Sequence, residues 1–308
     1  MLAGRTSTVR HVEKGDELKR VLVLGATGML GHMVLDYLRK QPDIEVIGTQ
    51  RPESNIDIGT PYRLFEAGDR LGLMLNKVDY VVNCIGVTKP FIQEGVPLSV
   101  ERAIKVNSLF PCELAGYVKD DGPRVINIAT DCVFSGQKGE YHEKSPHDAT
   151  DVYGKTKSLG EVNSPNMHYL RTSIIGPELA PSRFLLEWLR GQGPNAEVKG
   201  FDNHWWNGIT TLAFARLCYG IIKKDIPLLS MKHIIPADFV NKYELLCNIA
   251  AAYGRGDIKI EKAEAPLCVD RTLSTLNIDL NDKLWNAAGY DEAPEISAMI
   301  DEMAVYGR

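Results

Sequence analysis

The sequence predicts an α/β fold, a doubly wound parallel sheet followed by a smaller α/β lobe, on three observations. Residues 19–38, KRVLVLGATGMLGHMVLDYL, read as strand, glycine turn and helix. VDYVVNCI at 78–85 and RVINIA at 124–129 read as buried strands set between helical stretches. Tyr153 and Lys157 stand four apart where another helix opens after the second of these strands.

The first segment organises the rest. Val21 to Leu24 form the strand, Gly25, Gly28 and Gly31 follow at three-residue spacing, and Met29, Leu30, Met33, Val34, Tyr37 and Leu38 recur with a helical period. Glycines also end helices and let elements pack closely, but here the flanking strand and amphipathic helix supply the missing context. A Cβ in the turn would block it and keep backbone N–H groups and the helix N-terminus from a pyrophosphate. Gly25, Thr27, Gly28, Met29, Leu30 and Gly31 are therefore the expected phosphate contacts of a Rossmann-type dinucleotide site.

Residues 1–18 lack periodicity and read as a disordered extension. Residues 19–176 read as the cofactor-binding domain and 177–308 as mainly a substrate-binding lobe, with interleaving of the two allowed. Composition is ordinary for a soluble protein, with 44% hydrophobic and 24% charged residues. A net charge of −5 without a basic run argues against nucleic acid as the main partner. No apolar stretch is long enough to span a bilayer and the N-terminus lacks a signal-peptide core, so a cytoplasmic location is expected, with no membrane partner. The six cysteines lack C-x-x-C spacing and the histidines form no H-x-x-x-H pair. Reduced, mostly buried thiols and no metal site are expected.

After Pro42 stops the first helix, Glu45 to Gly48 form a second strand. An acid near its end would bind the ribose 2′-hydroxyl of NAD, and an arginine would suit the 2′-phosphate of NADP. The run Gly48-Thr49-Gln50-Arg51 has no acid before Glu53, so NADP(H) is preferred, with NAD(H) allowed. Arg51 is either the phosphate contact or an ordinary solvated arginine. Asn83 and Gly86 end the next buried strand on the cofactor side, with Asn83 alternatively a simple turn residue. The helix from Ser99 to Val118 contains Asn107 and an internal Pro111, which predicts a kink.

Arg124 to Ala129 deliver Thr130-Asp131-Cys132 to the same sheet edge as the glycine turn. A ketone that accepts hydride develops negative charge on oxygen and needs a proton there. Tyr153 is the expected proton donor, with Lys157 one turn away lowering its pKa and holding the nicotinamide ribose, and Thr130 aligning the substrate oxygen. Asp131 is read as structural, because Cys132 and not a second acid follows it.

G-A-T-G-M-L-G (25–31), T-D-C-V-F-S-G (130–136), G-E-Y-H-E (139–143), Y-G-K-T-K (153–157) and Leu170-Arg171-Thr172-Ser173 together resemble the dTDP-4-dehydrorhamnose reductase branch of the extended short-chain dehydrogenases/reductases. The resemblance is specific through about residue 176. It implies reduction by NAD(P)H of a keto group, at C4, on a nucleotide-linked 6-deoxysugar in polysaccharide-precursor synthesis, with Thr130, Tyr153 and Lys157 as the catalytic set. It further implies Asp57-Ile58, after a short third strand, beside the adenine, a functional Asn at Asn107 (a structural cap being the rival), and Phe184 over the ligand. Cys132 stands where the family commonly has Tyr, removing an aromatic contact near the sugar. Arg271, in a segment near the nucleotide, either pairs the diphosphate or makes a structural salt bridge. Related readings are an epimerase or dehydratase with a recycled cofactor, and a non-catalytic NADP-binding subunit like the partner of methionine adenosyltransferase.

In the C-terminal lobe, Ser182 is the expected cap of a helix over 184–189. Trp205 and Trp206, in a Gly- and Asn-rich loop, either close the lobe interface or form a platform for a base or sugar ring. Residues 211–223 and 241–253 are amphipathic helices, the second with a capping box of Asn241 and Glu244. His233 on a short strand reads as a satisfied structural histidine, and Ile296, Met299, Ile300 and Met303 form the apolar face of a tail helix. A homodimer is the default assembly.

Overall fold

The structure, a computed structural model, describes residues 18–59, 62–65, 71–118, 121–179 and 183–306. The extension at 1–17 and Ser182 lie outside the described residues. The N-terminal half runs β1 (Lys19–Leu24), α1 (Met29–Arg39), β2 (Ile44–Gln50), β3 (Tyr62–Leu64), α2 (Gly72–Leu75), β4 (Tyr80–Asn83), α3 (Pro97–Ile104), α4 (Phe110–Tyr117), β5 (Arg124–Ala129), α5 (Val152–Leu159) and β6 (Met167–Arg171). There follow β7 (Ile174–Ile175), α6 (Leu185–Arg190), β8 (Glu197–Phe201), β9 (His204–Trp206), β10 (Ile209–Thr210), α7 (Thr211–Lys223) and β11 (Met231–His233). The chain closes with β12 (Val240–Asn241), α8 (Lys242–Ala252), β13 (Lys259–Ala263), β14 (Val269–Asp270), α9 (Ile278–Ala287) and α10 (Ile296–Val305).

Seven strands form one parallel sheet in the order β11-β6-β5-β4-β1-β2-β3. Alternate residues of β1 serve opposite faces: Val21 and Val23 join a core with α1 and α7, while Leu22 and Leu24 join Phe110 and Leu114 of α4. The sheet is thus covered on both sides, with all strands ending at one edge. β11, from beyond residue 176, completes the sheet against β6, so the two halves interleave. Three small sheets, β7 with β10, β9 between β12 and β14, and β8 with β13, build the second lobe.

Several expectations change. Asp57 and Ile58 precede β3 and sit in the crossover from β2. Ile58 is buried, in line with the contact its side chain would make with a Cβ at Gly48, whereas Asp57 is exposed. The Ser99–Val118 helix is interrupted before Pro111, by a π-helical turn at Lys105–Leu109 between α3 and α4. Pro111 has no N–H to offer the carbonyl four residues back, at Asn107, and the wider turn absorbs that lost bond. Trp205 and Trp206 lie on strand β9, paired with β12 and β14, not in a loop. All six cysteines are free, but only Cys218 is buried, with Cys112 on the outer side of α4 and Cys268 ahead of β14 both exposed. The capping box of Asn241 and Glu244 forms as expected, and Ile296, Met299, Ile300 and Met303 of α10 are buried. Among the described residues no helix is long and apolar enough to cross a membrane.

Candidate active site

β1 ends at Gly25, whose φ of +79° belongs to the left-handed region that favours glycine. The turn is braced by the end of β2, with the Gly25 and Ala26 amides donating to the Thr49 hydroxyl and carbonyl at 2.9 and 3.0 Å. A Cβ at Gly31 would stand 2.2 Å from the Gly25 carbonyl oxygen, so α1 approaches the turn as closely as backbone allows. Gly28 is the N-cap of α1 and makes no side-chain cap bond, as a glycine must not. The first-turn amides beside Thr27, Met29 and Leu30 therefore lack a side-chain acceptor. A bare helix N-terminus against a glycine turn fits a dinucleotide pyrophosphate.

The neighbouring strand ends carry the other expected residues. Asn83 is buried and fully engaged, donating to Asn127 Oδ1 at 3.0 Å and accepting the Ile85 amide at 3.1 Å, which matches a strand-end turn residue. Asn107 lies in the π turn, accepts the Val87 amide, and donates to the Val87 carbonyl at 2.8 Å and the Thr156 hydroxyl at 3.1 Å. It clamps the segment after Gly86 to α5. Arg51 is exposed and paired with Glu53 at 3.1 Å.

β5 delivers Thr130, whose hydroxyl accepts the Cys132 amide at 3.1 Å and so starts the tight turn Asp131–Val133. Asp131, buried, accepts from the same hydroxyl at 3.3 Å. α5 starts at the N-cap Asp151, which accepts the Gly154 amide at 2.8 Å and is held by Lys89 at 2.8 Å. A Cβ at Gly154 would fall 2.4 Å from the Cys132 carbonyl oxygen, so the helix presses directly on this turn. Tyr153 is thereby set beside Thr130, whose hydroxyl faces the phenol closely enough to favour its ionised form. That effect is outweighed. Burial raises the phenol pKa, helped by Cys132, Asp131 and Asp151. The Lys157 ammonium donates to the Ile128 carbonyl at 3.1 Å, and burial lowers its own pKa. The net direction for Tyr153 is therefore upward, where a lowered pKa was expected, because burial of the phenol dominates. Burial, reinforced by Asp131, pushes the Cys132 thiol up to about 12.

On the second lobe, Phe184 is the N-cap residue of α6, its ring edge-on to Phe91 at 6.1 Å, and the Glu178 carboxylate accepts its amide. Trp206 is buried in the core, with the Lys242 ammonium 5.5 Å from its ring centre, while half-buried Trp205 meets Phe239 edge-on at 5.6 Å. Arg271 donates to the Phe134 and Ser135 carbonyls at 2.9 and 3.0 Å, and no carboxylate pairs with it among the described residues. His233 is buried and satisfied on both ring nitrogens by Arg171, Tyr141 and Ser274. Sequence reasoning missed Asp151, although an Asp directly before the Tyr-Gly-Lys helix is an ordinary N-cap signal. Among the described residues no group of His, Cys, Asp and Glu is arranged to hold a metal ion.

A parallel sheet with a bare, glycine-opened helix at one strand end and Thr130, Tyr153 and Lys157 at the next ones defines an extended short-chain dehydrogenase/reductase. The chain belongs to the family described as the RmlD substrate binding domain, whose model matches residues 19–272. It is 25% identical over 247 residues to methionine adenosyltransferase 2 subunit beta of Xenopus tropicalis, covering 76% of this chain and 72% of that protein. It is 30% identical over 150 residues to dTDP-4-dehydrorhamnose reductase of Mycobacterium tuberculosis, covering 46% of this chain and 44% of that one. The dTDP-4-dehydrorhamnose reductase of Bacillus anthracis, solved in complex with NADP, has the same fold, with a TM-score of 0.67 at 15% identity over 92% of this chain and 98% of that one.

Proposed function

We propose that this chain reduces a keto group, at C4, of a nucleotide-linked deoxysugar with NADP(H). The observation that carries the reading is geometric: α5, whose residues include Tyr153 and Lys157, presses on the turn that follows Thr130, and the Lys157 ammonium is held by Ile128 of β5, at the sheet edge where the glycine turn opens. A protonated phenol is an acid at neutral pH, which suits giving a proton to a carbonyl oxygen. NADPH held at the Gly25–Gly31 turn would supply the hydride. Thr130 holds the carbonyl oxygen, Tyr153 gives it the proton, and Lys157, fixed by Ile128, binds the nicotinamide ribose. Asp57 and Ile58 would take the adenine side, Arg51 would exchange Glu53 for the 2′-phosphate, and Arg271 and Phe184 would bound the substrate side. Asn107 acts as a positioning residue through Val87 and Thr156.

The test is nicotinamide absorbance with NADPH and a panel of nucleotide-linked 4-keto-6-deoxysugars. Stoichiometric loss with one sugar, reduced about a hundredfold or more by Tyr153→Phe, is expected. Turnover without net NADPH loss would sink the reductase reading. The match to methionine adenosyltransferase 2 subunit beta over most of the chain supports a second reading, an NADP-binding regulatory subunit. NADPH binding without sugar turnover, together with a stable complex with a methionine adenosyltransferase catalytic subunit, would favour it.

A further inference from the structure

His147, in the loop before α5, ties the buried charges beneath the sheet edge to the helix that carries Tyr153 and Lys157. Its Nδ1 lies 2.7 Å from the Ser158 hydroxyl of α5, and its Nε2 lies 3.0 Å from Nη2 of Arg171 on β6. A guanidinium can only donate, so Nε2 accepts, the ring proton sits on Nδ1 and goes to Ser158, and the ring is neutral. Ser158 directly follows Lys157 and stands one turn past Gly154, where the helix presses on the Cys132 carbonyl. The bond therefore grips α5 at the level of its functional residues.

The same ring is open to protons from solvent. Its side chain is 27% exposed and lines a cleft of about 190 Å³ together with Val133 and with Gly154, Lys155, Ser158 and Leu159. The loop that holds it is pinned. Asp148 accepts the Ser135 amide and hydroxyl at 2.6 and 2.7 Å, and the Ala149 amide donates to the Val133 carbonyl at 3.1 Å. The charged groups around the ring are Asp148 in the loop, Lys155 on the cleft wall, and the bonded pair Arg171 and Glu161, with His233 held by Arg171 at 2.8 Å. A proton added at Nε2 would point at the Arg171 donor. The acceptor within reach is Glu161 Oε2, at 3.7 Å. A charge-assisted bond needs about 2.8 Å, so the ring must move by about 1 Å and either drag Ser158 or release it.

We propose that His147 is a positioning residue: its neutral ring holds α5 in place for proton transfer by Tyr153, and a proton taken up from the cleft loosens that hold. The proposal rests on the reductase reading and adds to it an acid limit on the rate. Tyr153 sets no such limit, because a proton donor is not lost as pH falls. Burial, the strongest influence on His147, lowers its pKa, so the acid limb belongs below the ordinary 6.5.

The test is kcat at saturating NADPH and keto-sugar between about pH 7.5 and pH 5, on enzyme shown to be folded at each pH by circular dichroism. Wild type, Ser158→Ala, Ser158→Thr and His147→Gln are compared, and His147→Gln carries the test should Ser158→Ala not fold. Wild-type kcat is expected to fall about tenfold or more over this range, since a displacement of about 1 Å is costly to catalysis. Ser158→Thr keeps the hydroxyl and should keep that profile. Ser158→Ala and His147→Gln should start about three- to tenfold lower at neutral pH and stay level on acidification. A bond that is merely structural would shift the melting temperature of these variants but leave kcat and its acid limb as in wild type. That result, or a wild type with no acid limb, overturns the proposal while leaving the reductase reading in place. A wild type that binds NADPH but turns over no keto-sugar at any pH overturns both.

Discussion

A methyl group added at Gly28 and one added at Gly31 meet different surroundings. At Gly28 the nearest atom to the new Cβ is the Gly25 carbonyl oxygen, at an ordinary 3.4 Å, and the φ of −80° suits any residue. At Gly31 the same oxygen would be 2.2 Å away and the Ala26 Cα 3.1 Å, both backbone atoms that cannot swing aside. Gly31→Ala should therefore cost about 1–3 kcal/mol through overpacking and lose NADPH affinity as a consequence. Gly28→Ala should leave the melting temperature nearly unchanged, yet weaken NADPH binding about tenfold or more, because its methyl group stands at the bare helix end where a diphosphate must approach. Fluorescence titration with NADPH beside thermal melting reads the two effects separately. Full NADPH affinity in a stable Gly28→Ala would remove the cofactor site from this turn.

The π turn at Lys105–Leu109 is the element on which the active helix is aligned. Asn107 satisfies both backbone groups of Val87 and bonds Thr156 of α5, and a Cβ at Gly160 would fall 1.9 Å from the Asn107 carbonyl oxygen. Three segments thus meet at one amide. Asn107→Ala strands a buried Val87 amide and should cost about 1–3 kcal/mol of stability in urea unfolding. It should also lower kcat more than it raises the Michaelis constant for NADPH, since α5 carries Tyr153 but the glycine turn is untouched. A variant as stable as wild type would show that the clamp is replaceable.

The sequence showed Asn107 and Pro111 but not the turn, because a proline inside an apolar helical pattern reads as a kink wherever the disruption falls. Elements whose pattern is local were legible: β5, α7 and the capping box of α8 stand where periodicity and cap residues place them. β9 was not, since its partners β12 and β14 come later in the chain and Gly208 and Asn203 around it read as loop. The Thr130, Tyr153 and Lys157 set was legible from spacing and context. The electrostatics of the site were not, because burial by remote segments decides the direction of the Tyr153 shift.

At the scale of the molecule, the two halves are joined through charge buried beneath the sheet edge. Arg171 on β6, fully buried, donates to Glu161 beyond α5, to His147 at 3.0 Å and to His233 of β11 at 2.8 Å. His233 therefore receives a guanidinium N–H on Nε2 and gives its Nδ1 proton to the Ser274 carbonyl at 2.9 Å, a neutral ring. Burial first, and then Arg171, hold its pKa down to about 4 from an ordinary 6.5. The unfolded chain thus binds a proton at higher pH than the folded one, so the stabilisation is complete above about pH 6.5 and is lost as pH falls through about 4. Glu143 titrates lower: desolvation works upward, but bonds from the Thr275 hydroxyl and the Leu276 and His233 amides outweigh it and hold the carboxyl at about 2. Its contribution is present above the ordinary 4.5 and disappears only toward pH 2. The melting temperature should consequently begin to fall between about pH 7 and pH 5, above the range in which Glu143 contributes most of its own loss. His233→Gln keeps an acceptor for Arg171 without a titrating ring, so its decline over that interval should be flatter than that of wild type. It should not be flat, because burial also lowers the pKa of His147 and His168. Equal declines in the two proteins would mean that His233 is not the group whose protonation loosens the junction of the halves.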